Sequence, residues 1–357
     1  MARHGCKDEG VDPLPLPPLE AMLACAHVVA LPTRTRFRGI SVREALIFDA
    51  PAGASEFSPF VEYDDAEATA WLAAAIEFGW GTLPAPRREW IPVNATVPAV
   101  AAADVPAVLA RFPGCDTAKV KVAEPGQRLA DDVARVRAVR AAMGPDARVR
   151  VDANGGWTVD EAATALAALG EFDLDYAEQP CATVAELAEL RARLQQRDRD
   201  ARTRIAADES VRKAGDPLAV ARAGAADLLI VKAQPLGGIA RALAIVREAG
   251  LPVVVSSALD TSIGIAMGAH LAAALPEGQL AGACGLGTVA LLEGDVTGTP
   301  LLPERGRIPV RRPTLDRALL RAFAATPERD AWWRDRLRRT HARLADDLAA
   351  RRAGQAR

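Results

Sequence analysis

The N-terminal quarter of the chain carries the hydrophobic pattern of a small α+β unit. Apolar and alternating runs predict three strands, at 21–31, 40–50 and 53–60. A helix is predicted over 64–79, because acidic residues occupy its first turn and apolar positions follow at helical spacing. We assign this unit to 19–88. The proline-rich residues 1–18 predict a flexible leader, and Met22 is an alternative to Met1 as the start of the chain.

From residue 89 onwards, short apolar runs alternate with alanine-rich amphipathic segments of helix length. The apolar runs predict eight strands, at 91–97, 117–122, 148–153, 172–179, 204–210, 227–233, 252–258 and 280–285. Their spacing of about 20 to 30 residues is what a (β/α) barrel requires. A doubly wound sheet is the alternative, but it normally brings a glycine-rich turn after its first strand, and 91–97 has none. We assign the barrel to 89–312.

The remaining residues, 313–357, predict a C-terminal helical segment that packs on the body or extends from it. Mixed charges at helical spacing over 329–357 are typical of a solvated helix, with Trp332 and Trp333 as the residues that pack inwards. A basic tail that contacts nucleic acid is the alternative. Four aspartates interrupt the basic run and argue against it: Asp330, Asp335, Asp346 and Asp347.

Composition and charge argue against several classes of function. With 357 residues, half of them apolar, the chain can bury a large core. A formal net charge of −2 gives no field that would favour nucleic acid or an anionic membrane as a partner, and no apolar run is long enough for a transmembrane helix. Five scattered cysteines argue against a disulfide framework or a zinc site and favour a reducing cytoplasm: Cys6, Cys25, Cys115, Cys181 and Cys284.

Charged residues stand at or near the ends of five successive predicted strands. They are Lys119, Lys121, Asp152, Glu178, Asp208 and Lys232. Each has an ordinary explanation alone, such as a helix cap, a turn, or the solvated face of an edge strand. In a barrel, however, catalytic side chains lie at the C-terminal ends of the strands, so all six would share one mouth. Side chains alternate along a strand, so Lys119 and Lys121 are predicted to point inwards together.

The predicted cluster is suited to proton transfer beside a hard metal ion. Three carboxylates, from Asp152, Glu178 and Asp208, form an oxygen-rich site of the kind that Mg²⁺ prefers, with Mn²⁺ as a substitute. A lysine close to a metal-bound carboxylate substrate can remove or return a proton while the metal stabilises the developing negative charge. Burial and a second ammonium group both disfavour protonation, so Lys119 is expected to make Lys121 a better base.

The chain resembles the enolase superfamily and, within it, the muconate-lactonizing-enzyme subgroup. The resemblance covers roughly residues 24–310 and is carried by "KVKV", "DANGGW", "YAEQP", "ADES" and "VKAQPLGGI", in this order on successive strands. It implies an N-terminal capping domain over a modified (β/α)₇β barrel, and Mg²⁺ held by the three carboxylates. It also implies that Lys121 and Lys232 flank the substrate. The mandelate-racemase branch would use a histidine on a late strand, and 252–260 contains none.

Within the subgroup, residues 36–60 and the "SSALDTSIG" segment are similar to o-succinylbenzoate synthases of actinobacterial type. This resemblance implies dehydration of a cyclohexadiene carboxylate, with Lys121 as the acid and base and Lys232 as the stabilising cation. It also implies that Asn154 supports the metal site and that Ser256 and Gly285 contact the succinyl tail. A small-molecule carboxylate is thus the expected partner, and the oligomeric state stays open between monomer and homo-oligomer.

Other functions remain open on this evidence. Racemases, epimerases and cycloisomerases of the subgroup share the same lysines and carboxylates, and similar enzymes also racemise N-acylamino acids. A barrel of this family kept as a binding protein without turnover is the alternative from another class. The loss of a carboxylate or a lysine would favour that alternative, and none is lost.

Overall fold

The structure is a computed structural model that describes residues 15–37, 39–197, 203–212 and 216–355. Most of the predicted leader, residues 1–14, lies outside this set. The N-terminal elements are α1 (Leu19–Ala24), β1 (Ala26–Phe37), β2 (Ile40–Phe48), β3 (Ser55–Phe57) and α2 (Asp65–Trp80). The three strands form an antiparallel sheet in the order β1-β2-β3, and α2 packs against it.

The apolar run at 21–31 divides into a short helix and a strand, whereas a strand alone was predicted. Pro18, with φ −57°, precedes α1, and Met22 on this helix is fully buried in the core of the N-terminal unit. The prediction was wrong over 21–24 because a four-residue apolar stretch fits one buried helical turn as well as the start of a strand.

The second unit is a parallel barrel. The small strand β4 (Trp90–Pro92) precedes it, and the strands of the barrel are β5 (Ala95–Val97), β6 (Thr117–Lys121), β7 (Arg148–Asp152), β8 (Leu174–Glu178), β9 (Arg204–Ala207), β10 (Leu228–Val231) and β11 (Val253–Val255). Its helices are α3 (Val105–Leu109), α4 (Leu129–Met143), α5 (Val159–Leu169), α6 (Val184–Arg197), α7 (Glu209–Arg212), α8 (Ala219–Arg222), α9 (Ala233–Leu236), α10 (Ile239–Ala249) and α11 (Ser262–Ala274). Seven strands, β5 to β11, pair in parallel in sequence order. The small strand β4 pairs instead with β12 (Arg307–Pro309).

Residues 280–285 complete the ring through isolated bridges, although a full strand was predicted there. Leu280 and Gly285 bridge to β11 and the residue after it, and Cys284 bridges to Val93, between β4 and β5. Gly282 has φ +125°, a conformation that interrupts regular strand geometry. The segment therefore joins the two edge strands without forming a continuous ladder.

Alternation along the strands separates the two faces of the barrel wall. Val120, Val151 and Leu229 point outwards into the apolar layer beneath the helices. Tyr176 and Ile230 belong to a separate apolar cluster inside the barrel. This inner cluster fills the barrel below the strand ends, so polar side chains at the C-terminal ends lie on a packed floor.

The C-terminal helices return to the N-terminal unit. They are α12 (Arg317–Ala322) and α13 (Pro327–Gln355). Trp333 on α13 is fully buried, and its Nε1 donates to Glu44 Oε2 at 2.8 Å. Arg336 is 1% exposed and donates to the carbonyl oxygens of Phe60 and Tyr63, at 3.1 and 2.6 Å. The long helix therefore fixes the segment that leads from β3 towards α2.

None of the helices in the described part of the chain combines the length and apolarity needed to cross a bilayer. The four described cysteines are free: Cys25, Cys115, Cys181 and Cys284.

Candidate active site

The two lysines of β6 share one aspartate oxygen at the barrel mouth. Lys119 Nζ donates to Asp152 Oδ2 at 2.9 Å and to Glu178 Oε1 at 2.7 Å. Lys121 Nζ donates to the same Asp152 oxygen at 2.5 Å and to Asn154 Oδ1 at 2.6 Å. Both lysines are less than 10% exposed, and both carboxylates are almost fully buried. The alternation predicted for "KVKV" thus places both ammonium groups inside the barrel.

Ion pairing outweighs burial at Lys119 and Asp152. Burial alone would lower the pKa of Lys119, but the Asp152 and Glu178 carboxylates hold that pKa well above its usual value. Burial would likewise raise the pKa of Asp152, and the two lysines hold it well below the usual range. The charge of Lys119 is therefore offset by two carboxylates, which weakens the repulsion between Lys119 and Lys121 that the sequence led us to expect.

Among the three carboxylates, Glu178 has the negative charge that neighbouring cations compensate least. Burial, and then the Asp152 charge, raise the pKa of Glu178 to about 8. Its Oε2 is buried and accepts no hydrogen bond from the described residues. One carboxylate oxygen at the centre of the cluster thus has an unused coordination position.

Asp208 and Lys232 form the other side of the cluster. Lys232 Nζ donates to Asp208 Oδ2 at 2.5 Å, and Arg212 Nε donates to Asp208 Oδ1 at 3.2 Å. Despite burial, these two cations lower the pKa of Asp208. Burial lowers the pKa of Lys232, which is 7% exposed, more than the Asp208 charge raises it. Lys232 is thus a buried cation whose proton is held less tightly than that of an ordinary lysine.

Two residues that the sequence analysis missed position Asp208. Gln179 is fully buried, and its Oε1 accepts hydrogen bonds from the backbone N–H groups of Asp208 and Ser210. Arg212 also donates to Tyr63 Oη at 3.1 Å, a contact between the barrel and the N-terminal unit. Arg212 lies four residues after Asp208 on a short helix, so the i, i+4 spacing was a usable signal.

The cluster opens into a cavity walled by both structural units. Besides the lysines, Asp152 and Asn154, its lining consists of Phe37, Thr96, Ser256, Ser257, Ala258, Leu259, Gly285 and Thr288. Phe37 comes from the end of β1, and Lys121 Nζ lies 5.5 Å from the centre of its ring. Ser256 and Gly285 face each other so closely that a Cβ on Gly285 would lie 2.4 Å from Ser256 Oγ. The predicted residues Asn154, Ser256 and Gly285 are therefore gathered around the same cavity as the lysines.

Comparisons with known proteins decide the family. Residues 28–79 match the family described as enolase N-terminal domain-like, and residues 103–314 match the one described as enolase C-terminal domain-like. A Mycobacterium tuberculosis protein named o-succinylbenzoate synthase is 57% identical over 330 residues, which are 92% of this chain and 97% of that protein. A Mycobacterium leprae protein of the same name is 56% identical over 92% of this chain and 95% of its own length. The chain belongs to the o-succinylbenzoate synthases of the enolase superfamily.

Solved structures agree with this enolase-superfamily fold. Muconate lactonizing enzyme from Pseudomonas putida superimposes with a TM-score of 0.66 at 21% identity, over 84% of this chain and 98% of that one. N-succinyl Arg/Lys racemase from Bacillus cereus gives a TM-score of 0.68 at 19% identity, over 84% and 96%. The predicted fold class, a (β/α)₇β-type barrel with an N-terminal α+β capping domain, is thereby confirmed.

The donor set of this enolase-superfamily site fits a hard divalent metal. Among the described residues, no three His, Cys, Asp or Glu side chains are arranged around one common point as metal ligands. Instead, each of the three carboxylates accepts a hydrogen bond from a lysine. All three carboxylates are buried and offer only oxygen, and Glu178 Oε2 has no partner within the described residues. These features suit a cation that would compete with the ammonium groups for the same oxygens.

Proposed function

We propose that the chain dehydrates 2-succinyl-6-hydroxy-2,4-cyclohexadiene-1-carboxylate to 2-succinylbenzoate, a step of menaquinone biosynthesis. The observation that carries this proposal is that Lys121 and Lys232 line one buried cavity beside three carboxylates. The chain is more than half identical to proteins named for this product. It is accordingly a carbon–oxygen lyase that acts on a small carboxylate.

We further propose that Asp152, Glu178 and Asp208 hold Mg²⁺, for which Mn²⁺ is a substitute. The bound ion would neutralise the buried carboxylates and stabilise negative charge that develops on the substrate carboxylate. Asn154 supports this site, because it accepts a hydrogen bond from Lys121 and donates to Glu209 Oε1 at 3.3 Å.

In this proposal Lys121 is the acid and base. It takes the proton from the ring carbon that carries the carboxylate, and the same ammonium group then protonates the departing hydroxyl group, which leaves as water. The C–H and C–O bonds break, and the electron pair forms the double bond that completes the aromatic ring. Lys232 stabilises the negative charge from the opposite side as a cation, and Lys119 maintains the arrangement of Asp152 and Glu178. Ser256 and Gly285 contact the succinyl tail.

Racemisation of an N-acylamino acid is the second candidate function. It requires one group that removes a proton and another that delivers it on the other face of the carbon. Both Lys121 and Lys232 line the cavity, which favours this candidate. Purified protein with Mg²⁺ should therefore be given the cyclohexadiene substrate and, separately, an N-succinylamino acid. We expect kcat/KM to be larger for the cyclohexadiene substrate, and the opposite order would make racemisation the main function.

Metal dependence tests the ligand assignment. We expect EDTA to abolish turnover and Asp208→Asn to lower kcat by at least about two orders of magnitude, as for the loss of a preorganised electrostatic partner. Independently of activity, Mg²⁺ at about 100 times its Kd should stabilise the wild-type protein by about 2 to 3 kcal/mol in thermal denaturation.

The matched control is Asp175→Asn. Asp175 is a partly buried barrel aspartate that also forms an ion pair, but its partner is Arg150 at 2.9 Å, at the start of β8 and away from the cavity. We expect the Mg²⁺-dependent stabilisation to persist in Asp175→Asn and to disappear in Asp208→Asn. Equal Mg²⁺ responses in the two variants would remove Asp208 from the ligand set.

We also retain the domain boundaries 19–88, 89–312 and 313–357 as proposals, together with cytoplasmic localisation. The localisation rests on the free, scattered cysteines, which suit a reducing compartment.

A further inference from the structure

A glutamate of the capping domain caps a helix of the barrel. Glu56 lies on β3 and is fully buried, facing away from its neighbour Phe57, which packs on Trp333. Its Oε2 accepts hydrogen bonds from the N–H and Oγ1 of Thr261, at 3.1 and 2.6 Å, and from the N–H of Gly264 at 3.0 Å. Thr261 is the N-cap residue of α11, so the carboxylate of Glu56 lies on the positive end of this helix.

The approach is possible only because residue 264 is glycine. A Cβ on Gly264 would lie 3.0 Å from the carboxyl carbon of Glu56 and 2.7 Å from Cβ of Asp260. The interface therefore has no room for a side chain at this position, and the Glu56 contact is part of how the two domains pack.

Arg43, on β2, contacts the residues that directly precede α11. The Arg43 side chain is almost fully buried, and its Nε donates to the carbonyl oxygen of Leu259 at 3.2 Å. Its Nη2 lies 3.8 Å from Asp260 Oδ1 and also donates to the carbonyl oxygen of Ser58. Asp260 Oδ2 in turn accepts from the N–H of Ala258 at 3.2 Å. The turn at 258–261 is thus bonded to the capping domain on two sides.

This turn forms one wall of the active-site cavity. Residues 256–259 line the cavity beside Lys232. Leu259 has φ +62°, a conformation that costs a leucine free energy and persists only where surrounding contacts hold it. The contacts that hold it here come from Arg43 and, through Asp260 and Thr261, from Glu56.

We propose that Glu56 and Arg43 are positioning residues that set the shape of the 256–259 wall, and with it the affinity for the substrate end distant from the reacting carboxylate. This inference rests on the proposed function, in which Ser256 contacts the succinyl tail. Neither residue lines the cavity, so each acts through the wall. Their removal is therefore expected to weaken substrate binding more than the chemical step.

The test compares two capping-domain glutamates that each cap a barrel helix. Glu77 accepts hydrogen bonds from the N–H groups of Ile239 and Ala240 at the start of α10 and does not line the cavity. We expect Glu56→Ala to raise KM for the cyclohexadiene substrate about 10-fold with kcat changed less than about 3-fold, because the three hydrogen bonds that hold Thr261 and Gly264 are lost. Glu77→Ala should leave KM within about 2-fold of the wild-type value on the same reasoning. Glu56→Gln keeps an acceptor oxygen and should recover most of the affinity.

Calorimetric titration with 2-succinylbenzoate provides a second readout, in which Kd should rise in parallel with KM. If Glu56→Ala does not fold, Ser58→Ala replaces it, since this change removes the 2.6 Å hydrogen bond from Ser58 Oγ to Glu56 and a long one of 3.4 Å from Gln234, and leaves the Glu56 carboxylate in place. KM and Kd should then rise about 3-fold, less than for loss of the whole carboxylate.

Three results would overturn the inference: an unchanged KM in folded Glu56 and Ser58 variants, a fall in kcat with KM unchanged, or equal KM changes in Glu56→Ala and Glu77→Ala. A wild-type protein that makes no product from the cyclohexadiene substrate contradicts the proposed function instead, whatever the variants do.

Discussion

At the scale of single residues, the cluster at the barrel mouth contains three buried ammonium groups and three buried carboxylates that neutralise one another. Asp152 accepts hydrogen bonds from both lysines of β6, whereas Asp208 accepts them from Lys232 and Arg212. Buried charges are retained at low cost only when each has a partner at hydrogen-bonding distance. Removing one member therefore leaves an uncompensated charge, and the effect of a substitution depends on whether the charge or the proton is lost.

Arginine substitutions separate these two effects. Lys121→Arg keeps the charge but provides an extremely poor base, so we expect loss of dehydration by about three orders of magnitude. Lys232→Arg keeps the cation that stabilises negative charge and should retain measurable dehydration. Steady-state rates measure both. Solvent deuterium exchange on a racemisable N-acylamino acid should survive only in Lys232→Arg, for the enantiomer that faces Lys121. Dehydration lost in Lys232→Arg but kept in Lys121→Arg would reverse the roles.

Glu56 predicts a dependence of stability on pH. Burial, and then the Asp260 charge, raise the pKa of Glu56 to about 7, against about 4.3 in an unfolded chain. The folded state therefore binds this proton more tightly, and its stabilising contribution is complete below about pH 4.3 and lost as the pH rises through 7. Glu56→Gln has no such proton, so relative to wild type it should gain about 3 kcal/mol in free energy of unfolding between pH 4.5 and 8.

Urea unfolding at several pH values checks this expectation. The control is Glu161→Gln, since Glu161 is exposed and hydrogen bonds from Thr158 lower the pKa of its carboxyl group. The control variant should show no gain over this range. A difference between wild type and Glu56→Gln that stays constant with pH would mean that Glu56 ionises in the folded protein as it does in the unfolded chain.

Individual site residues were predictable to different degrees. Lys119, Lys121, Asp152, Glu178, Asp208 and Lys232 could be named because each stands at a strand end, where the period of two fixes the inward side. Phe37, Tyr63 and Glu56 could not, because they come from the capping domain, and the docking of one domain on another leaves no periodic signal in either segment.

At the scale of elements, α13 is the part of the chain that composition described least well. Its mixed charges predicted a solvated helix, yet Arg336 is buried between the segment that leads from β3 towards α2 and the rings of Trp332 and Trp333. Its partners are carbonyl oxygens, which no charge pattern in the sequence identifies. The sequence pattern was also insufficient at 280–285. A strand was predicted there, but Gly282 interrupts it, and the segment forms only isolated bridges.

Arg336 tests how much α13 stabilises the capping domain. Arg336→Met keeps most of the packing volume but removes the buried hydrogen bonds from Arg336 to the carbonyl oxygens of Phe60 and Tyr63, and should cost about 2 to 3 kcal/mol. Arg338→Met is the matched control: it removes an exposed ion pair with Asp335 on the same helix, at a cost below about 0.5 kcal/mol. Thermal denaturation distinguishes the two. Equal melting temperatures would show that α13 lies on the domain without stabilising it.

At the scale of the whole molecule, the sequence predicted the architecture well because the barrel is built from repeated local units. Each strand, helix and polar strand end is readable from about 20 to 30 neighbouring residues. The capping domain is different, since its sheet meets residues almost 300 positions away: Ala30 N–H donates to the carbonyl oxygen of Phe323, and Glu44 accepts from Trp333. Such long-range pairing was outside the reach of pattern analysis.

This long-range pairing has a consequence during synthesis on the ribosome. At 5 to 20 residues per second, the ~280 residues that separate β1 from Phe323 take tens of seconds to translate. Throughout that interval the edge of β1 and the carboxylate of Glu44 lack their native partners, while the barrel between them can already assemble. The newly synthesised capping domain is therefore accessible to chaperones and proteases for most of translation. This accessibility ends when α13 has been synthesised and can pack on the domain.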